Sequence, residues 1–409
     1  NQASIDVDRR IDCYPEGGAT QTLCEARGCI WDDVTLAYIG LPACSMKSDE
    51  IGYSNGTRET DGTYTLTKNN GPKNPWGGDF SKIKFSMNFP GNGVANVRMD
   101  TENRYDPASI LDFPRETIPS SESLSVNILS NDPFLFQVMR ISDGTTLFDT
   151  SIGGLIFSDK FIQIAALLPS ENMYGWGENI HQSLKVTTLP APGLVYRTIG
   201  GLLDMYFFPG PTPTDVIAQY HAFIGRPFMP AYWSLGYQLC RWGYSSLDDL
   251  KGRVKAVMDL SIPIDVVFAD IDYMDERKDF SLGNLWNGFG DYVDQLHDWG
   301  MKSILIFDPA IEADYDVFQR ARSANISFIE WDQYDNVQRE IQDLYPMAND
   351  SKIMLGLVWP NNHVAFPDFL DMQNNTAQWW QDEFQSFHKK VSFDGSWIDM
   401  NEPQAFGTK

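Results

Sequence analysis

The chain has 409 residues, which is long enough for two or three domains with cores of their own. Its apolar fraction of 43% and charged fraction of 21% are typical of a folded globular protein. The formal net charge of -24 argues against nucleic acid or an anionic membrane as a partner, because both are bound mainly through Lys and Arg. No run of eighteen apolar residues occurs, so the sequence predicts no transmembrane segment.

The N-terminal segment, residues 1–48, holds most of the cysteine of the chain. Four of the five cysteines lie close together in it: Cys13, Cys24, Cys29 and Cys44. This density predicts disulfides and an oxidising compartment. A zinc site is the alternative, but no His lies nearby and no Cys-x-x-Cys pair occurs. The cysteines alone leave three pairings open. Sequons agree with the secretory pathway at Asn55, Asn325, Asn349 and Asn374.

Residues 49–227 alternate short β-type runs with turn residues. Clear examples are residues 64–67, 83–88, 126–129 and 134–138, separated by Gly, Pro, Asn and Asp. Many short strands at this spacing predict an antiparallel β-sandwich.

Residues 228–409 change to a pattern of alternating strands and helices. The predicted elements are strands at 232–240, 265–270, 303–307 and 393–399 and helices at 247–260 and 292–299. Repeated βα units predict a parallel sheet, and these four strands are half of a (β/α)8 barrel. Residues 312–378 lose the periodicity, so we expect an insertion after the third strand that forms a wall of the pocket.

Acidic side chains cluster around the last predicted strand. Asp394, Asp399 and Glu402 fall within nine residues, and Trp397 lies two positions before Asp399. Buried carboxylates are costly unless they are paired or used, so this cluster predicts a site for sugars or other polyols. The alternative is that the carboxylates cap a following helix. No ligand spacing links the histidines, so we expect no metal and no cofactor: His181, His221, His297, His363 and His388.

The string Trp397-Ile-Asp-Met-Asn-Glu402 resembles the nucleophile signature of family 31 of the glycoside hydrolases, a family of α-glucosidases. Further motifs of that family are resembled in order along the chain: Arg10–Pro15, Tyr196–Gly201, Cys240–Tyr244, Ala269–Asp275, Asp308–Ala310 and Val364–Asp368. The strings Arg10–Cys13, Leu23–Trp31 and Pro42–Cys44 resemble a trefoil (P-type) module, which would cover residues 1–48. The fold implied is therefore a disulfide-linked trefoil, an antiparallel β-sandwich and the N-terminal half of a (β/α)8 barrel.

The resemblance to family 31 implies a role for each motif residue. Asp399 would be the nucleophile, Glu402 would orient it or tune its charge, and Asp270 and Asp308 would accept hydrogen bonds from sugar hydroxyls. Residues implied to line the pocket are Trp242, Ile271, Trp359, Trp397 and Met400, for which core packing is the alternative. Asp272 and Asp275 are expected to be structural and to bind the loop backbone or Arg277. Cys240 is expected to be a buried, inert thiol.

The resemblance also implies the disulfide pairing and shows two departures from the family. The implied pairs are Cys13 with Cys29 and Cys24 with Cys44, because the third bridge of a trefoil lacks both of its cysteines here. Between the segments that correspond to 174–181 and 196–200, the family carries a long insertion with a sugar-binding Asp. This sequence has a shortened loop there, without a matching Asp.

These observations lead to one functional hypothesis and one alternative. The hypothesis is a retaining, exo-acting α-glucosidase that removes terminal α-linked glucose from maltose-type oligosaccharides. Its acid/base would come from a C-terminal polypeptide of the same precursor. The alternative is a non-catalytic, trefoil-bearing carbohydrate-binding or receptor protein. Either one would be extracellular, at the cell surface or lysosomal.

Overall fold

The computed structural model describes residues 10–32, 42–47, 51–71, 74–104, 106, 122–170 and 193–408. The chain forms two compact units, residues 1–227 and residues 228–409. Antiparallel strands dominate the first unit, and parallel strands with intervening helices form the second. Within the described ranges, no helix combines the length and the apolar character needed to cross a bilayer.

The first unit begins with a small disulfide-linked module. Its elements are helix α1 (Gln21–Ala26), strand β1 (Ile30–Trp31) and strand β2 (Cys44–Ser45), and the two strands pair antiparallel. Disulfides join Cys13 to Cys29 and Cys24 to Cys44, which is the pairing implied by the trefoil resemblance. A helix of six residues is too short to be stable alone, so cross-linking and the buried cysteine core hold this module together.

Two antiparallel sheets make up the rest of the first unit. One consists of β3 (Tyr53–Arg58), β4 (Tyr64–Lys68), β5 (Lys82–Gly91), β6 (Val94–Asp100) and β13 (Leu203–Phe207), in the order β13-β6-β5-β4-β3. The other consists of β7 (Leu124–Asn131), β8 (Phe134–Arg140), β9 (Thr146–Asp149), β10 (Ile156–Phe157), β11 (Ile162–Leu167) and β12 (Gly193–Thr198). Phe85 and Val97 from the first sheet share a buried core with Phe136 and Ile164 from the second. The predicted sandwich is therefore confirmed. Helix α2 (Pro213–Ile224) follows, and a capping box opens it.

The second unit is built on four parallel strands that are neighbours in chain order. They are β14 (Gln238–Leu239), β15 (Val266–Ala269), β16 (Lys302–Phe307) and β20 (Gly395–Ile398). The helices between them are α3 (Leu247–Asp259) and α4 (Phe289–Asp298), and α7 (Asn375–His388) precedes β20. Helix α3 begins at the Ser246 cap and buries Leu247, Leu250 and Val254, a spacing that lies on one helix face. This is the first half of a (β/α)8 barrel, as predicted.

The predicted strand at 232–240 is mostly wrong. Residues Tyr232–Leu235 form a 3-10 turn, and only Gln238 and Leu239 pair with the sheet. Local hydrogen bonds compete with strand pairing here, because the Ser234 hydroxyl donates to the Ala231 carbonyl oxygen at 2.7 Å and the Gly236 N–H donates to Trp233.

The segment 312–378, expected as an irregular insertion, has a small fold of its own. It includes helices α5 (Asp316–Ser323) and α6 (Arg339–Gln342) and an antiparallel sheet of β17 (Ile311–Glu312), β19 (Val364–Ala365) and β18 (Leu355–Gly356). Val364 and Phe366 of this sheet region share an apolar cluster with Met400, which follows β20. The insertion therefore packs beside the carboxyl end of the last strand.

Candidate active site

Three aspartates follow three neighbouring parallel strands. Asp270 comes directly after β15, Asp308 after β16 and Asp399 after β20. The register pairs Phe307 with Ile398, so Asp308 and Asp399 are level at the ends of strands that lie about 4.8 Å apart. Ala269 pairs with Leu305, which puts Asp270 two residues below Asp308. The carboxyl ends of parallel strands thus bring these acids together.

The charge of Asp399 affects the ionisation of both Asp308 and Asp270. Asp308 is only 2% exposed, and its Oδ1 has no hydrogen-bond partner in the described parts of the chain. Burial, together with the charges of Asp399 and Asp270, raises the pKa of Asp308 to about 7. Burial also raises the pKa of Asp270, helped by Asp272 and Asp399 and opposed by the Ile271 N–H that its Oδ1 accepts at 2.7 Å. Perturbed acids at strand ends are typical of functional sites.

The backbone turns sharply directly after Asp399. Met400 has a φ of 53°, in the left-handed region that side chains other than glycine rarely adopt. Its side chain is buried in the apolar cluster with Val358 and Phe366, which compensates for this strained conformation. A strained residue held by packing fixes the direction in which the chain leaves the strand, and with it the position of Asp399.

The residues expected to line the pocket differ in their exposure. Trp242 is 64% exposed. Trp397 is partly buried and meets Phe268 edge to face with centroids 6.0 Å apart. Trp359 is partly buried and contacts the Phe406 ring at 4.8 Å. Ile271, at 3% exposure, lies in the main core of the unit, where the packing interpretation accounts for it.

Comparison with known proteins identifies both ends of the chain. Residues 227–409 match the model for the glycosyl hydrolases family 31 TIM-barrel domain, and residues 3–44 match the trefoil (P-type) domain. Residues 227–409 belong to glycosyl hydrolase family 31. The family 31 match covers all three aspartates, so the strand ends described above are those of a family 31 barrel.

Curated relatives are similar over almost the whole chain. Intestinal sucrase-isomaltase of Oryctolagus cuniculus is 32% identical over 98% of this chain and 24% of its own length. Lysosomal alpha-glucosidase of Rattus norvegicus is 30% identical over 99% of this chain and 47% of its own length. The chain thus spans between about a quarter and about half of these relatives.

Solved structures show the same fold at low sequence identity. The glucosidase II alpha subunit in its Glc1Man2-bound form has a TM-score of 0.61 at 17% identity, covering 94% of this chain and 54% of that one. The glucose complex of a Flavobacterium johnsoniae family 31 dextranase has a TM-score of 0.60 at 16% identity, covering 87% of this chain and 48% of that one.

One acid of the predicted cluster lies away from Asp270, Asp308 and Asp399. Asp394 comes before β20, at the opposite end of the strand from Asp399. It binds the His297 ring at 2.7 Å, the Lys302 ammonium at 3.0 Å and the Ser303 N–H at 2.8 Å. At the amino end of barrel strands such a network serves stability, so including Asp394 in the sugar site is wrong.

Glu402 is exposed and lies in the turn formed by residues 401–403. No helix follows Asp399 within the described residues, which removes the helix-capping alternative for Asp399 and Glu402. The predicted role of Glu402 beside the nucleophile stays a prediction.

Two expectations about the loops that follow β14 and β15 are wrong. Cys240 is exposed rather than buried, because the edge strand β14 ends at Leu239 and nothing in the described chain covers the next residue. Asp275 lies 3.7 Å from the Lys278 ammonium, whereas the Arg277 guanidinium donates to the Trp359 carbonyl oxygen.

The expectation for Asp272 agrees with the structure, whereas the expectation for the loop after residue 181 lies outside the described residues. Asp272 is structural as expected, since its Oδ2 accepts the N–H groups of Gly243 and Tyr244 at 2.7 and 3.1 Å. Residues 174–181 and the shortened loop lie outside the described residues. In the described residues, the group with metal-ligand geometry is Cys13, Cys29 and Cys44, whose sulfurs are in disulfides and cannot hold an ion.

A residue that sequence reasoning missed lies directly beneath Asp308. Asp279 is 2% exposed, and its Oδ1 accepts the Asp308 N–H at 2.8 Å. Its neighbours Glu276, Arg277 and Lys278 make the segment look like a solvated run of charges, so no signal in the sequence marks it as buried.

The raised pKa of Asp308 predicts that Asp308→Asn makes the fold more stable near neutral pH. The pKa of this carboxyl is about 7 in the folded state and near 3.8 in the unfolded state. The free energy of unfolding therefore falls as pH rises between those values. The destabilisation of the folded state above pH 7 is roughly 4 kcal/mol, and asparagine avoids it. We expect the thermal midpoint of Asp308→Asn to match the wild type at pH 4 and to exceed it at pH 8.

Asp394→Asn is the matched control, with the opposite sign. The Ser303, His297 and Lys302 donors outweigh burial and lower the pKa of Asp394, so its contribution is present above its unfolded pKa and lost only in acid. That variant should be less stable than the wild type from pH 5 to pH 8. Equal midpoints for Asp308→Asn and wild type at pH 8 would contradict the proposed ionisation of Asp308.

Proposed function

We propose that this chain carries the nucleophile and sugar-binding acids of a retaining α-glucosidase. The observation that carries the proposal is the level placement of Asp308 and Asp399 at adjacent strand ends, with Asp270 two residues below. Glycoside hydrolysis with retention needs a carboxylate that attacks the anomeric carbon of a cationic, oxocarbenium-like transition state. Asp399 supplies that carboxylate in the proposal.

Asp270 and Asp308 hold the sugar in this proposal. The free Oδ1 of Asp308 is a buried acceptor without a donor in the described chain, and a sugar hydroxyl fits that need. A carboxylate that accepts hydroxyl donors also stabilises positive charge on the reacting sugar. In this proposal the exposed Trp242 offers an apolar ring face to the sugar, and Trp359 and Trp397 line the pocket with it.

The relatives support glucose as the sugar. Lysosomal alpha-glucosidase and sucrase-isomaltase are both similar to this chain over nearly all of its length. The proposed substrate is therefore the terminal α-linked glucose of maltose-type oligosaccharides. The proton-donating carboxyl is proposed to lie on further barrel strands of the same precursor, since four strands of an eight-stranded fold are described here.

We propose that the protein is located in the secretory pathway. The two disulfides need an oxidising compartment. The sequon asparagines Asn55, Asn325 and Asn374 are exposed, and Asn349 is partly exposed. Glycans at these positions can therefore be accommodated on the folded surface.

The experiment is hydrolysis of maltose and of an aryl α-glucoside by the full-length protein, with NMR of the first glucose released from the aryl α-glucoside. Retention predicts that α-glucose appears first and then mutarotates. Release of β-glucose first would refute the retaining mechanism. Binding of maltose without cleavage would replace the proposal with the carbohydrate-binding alternative.

A further inference from the structure

Asp279 is a buried acid that the mechanism above does not use. It lies in the loop after β15, and its side chain reaches the turn after β16, where it accepts the Asp308 N–H at 2.8 Å. Its second oxygen, Oδ2, is buried without a hydrogen-bond partner in the described chain. Burying a carboxyl in this way is costly, so its position needs a compensating role.

The loop is built to hold Asp279 in place. Three of its residues that are not glycine have left-handed φ angles: Glu276 at 50°, Arg277 at 64° and Phe280 at 62°. The Phe280 ring is buried against Phe307 with centroids 5.5 Å apart. The backbone strain on both sides of Asp279 is therefore offset by packing directly under the end of β16.

Two hydrogen bonds hold the main chain of β16 on either side of Phe307. The buried Tyr273 hydroxyl donates to the Ile306 carbonyl oxygen at 2.8 Å, and Asp279 accepts the Asp308 N–H. With both ends of this short stretch fixed, the Asp308 side chain has little freedom to leave the site.

We propose that Asp279 is a positioning residue that holds the Asp308 backbone so that the free carboxyl oxygen of Asp308 faces the sugar. The functional part of this inference rests on the proposed function, and the structural part does not. Asp279 acts through Asp308 and does not itself touch the substrate.

The charge state of Asp279 decides which substitution mimics it. The titratable groups that face it are Asp308, Tyr273 and Tyr315. Burial, and then the charge of Asp308, raise the pKa of Asp279 well above its ordinary value. Burial therefore favours the uncharged form of Asp279, and Asn is an uncharged side chain of the same size that keeps an acceptor oxygen. Leu has similar bulk and no acceptor.

The first test measures the Asp308 amide directly. Hydrogen–deuterium exchange of the full-length protein, read by mass spectrometry with electron-transfer fragmentation, reports whether that N–H is held. We expect slow exchange in the wild type and in Asp279→Asn, and exchange at least tenfold faster in Asp279→Leu. If the Leu variant does not fold, Asp279→Ala removes the same acceptor without adding bulk. Equal protection in Asp279→Leu or Asp279→Ala and in the wild type would overturn the proposal.

The second test is a double-mutant cycle on kcat/KM for an aryl α-glucoside. We expect Asp279→Leu to lower it about 10- to 100-fold and Asp279→Asn less than about threefold, because only Leu leaves the buried N–H unpaired. In an Asp308→Asn background, Asp279→Leu should cost less than about threefold. Asp275→Asn, in the same loop, is the control and should keep wild-type activity. Additive losses would overturn the positioning role. A wild type that cleaves no glucoside would refute the proposed function, and the hydrogen–deuterium exchange result would then decide whether Asp279 holds the Asp308 backbone.

Discussion

Asp399→Asn is expected to lower kcat for an aryl α-glucoside by about 10³- to 10⁵-fold in the full-length protein. The amide keeps the size of the carboxyl group but cannot attack the anomeric carbon or stabilise positive charge on the sugar. KM should change far less than kcat, because Asp270 and Asp308 still bind the sugar. Steady-state kinetics with a chromogenic glucoside measure both constants.

The fold of the Asp399→Asn variant should not change. Asp399 follows an edge strand whose register with β16 is set by backbone pairs, and the turn after it is held by the buried Met400 side chain. Asp298→Asn, exposed at the end of α4, is the control for the loss of one negative charge and should keep full activity. Undiminished turnover by Asp399→Asn would refute Asp399 as the nucleophile.

A chemical rescue strengthens the assignment of Asp399. Asp399→Gly leaves room for azide, which can attack the anomeric carbon of a dinitrophenyl α-glucoside as dinitrophenolate leaves. We expect β-glucosyl azide as the product, because one displacement inverts the anomeric centre. Formation of α-glucosyl azide instead would show that a second nucleophile of the protein takes part.

The parts of the site that could be predicted from sequence are those that depend on strand position alone. Asp270, Asp308 and Asp399 each follow an apolar run, and parallel pairing brings the ends of such runs to one edge of the sheet. No tertiary detail is needed for that inference. Asp394 also borders an apolar run, but it precedes its strand and so lies at the opposite edge.

The parts that could not be predicted depend on local backbone geometry. Asp279 is buried in a loop with three left-handed residues, and the order of residues does not predict those backbone angles. The short length of β14 also depends on local backbone geometry. A 3-10 turn held by Ser234 takes up about half of an apolar run that favours a strand. Cys240 is exposed as a consequence, since it follows that short strand at the edge of the sheet.

Phe307→Ala is expected to lower the free energy of unfolding by roughly 3 to 5 kcal/mol. The Phe307 side chain is 1% exposed at the centre of a group of aromatic rings. The five rings whose centroids lie 4.4 to 6.4 Å from it are Tyr273, Phe280, Phe384, Phe387 and Phe393. Alanine leaves a cavity that these rings cannot fill without breaking their contacts with each other. Urea denaturation of the full-length protein measures the change.

The same substitution links the core to the site. Phe307 precedes Asp308 and pairs with Ile398, which precedes Asp399, so the residue that fills the core also sets the level of both acids. Phe307→Leu, which keeps most of the apolar volume, should cost less than Phe307→Ala and should retain the protection of the Asp308 amide. Leu260→Ala, at a position that is 73% exposed, is the control and should change stability by less than about 0.5 kcal/mol. A loss below about 1 kcal/mol for Phe307→Ala would mean that the ring cluster closes around the cavity, and the end of β16 would then be held by Tyr273 and Asp279 rather than by the core.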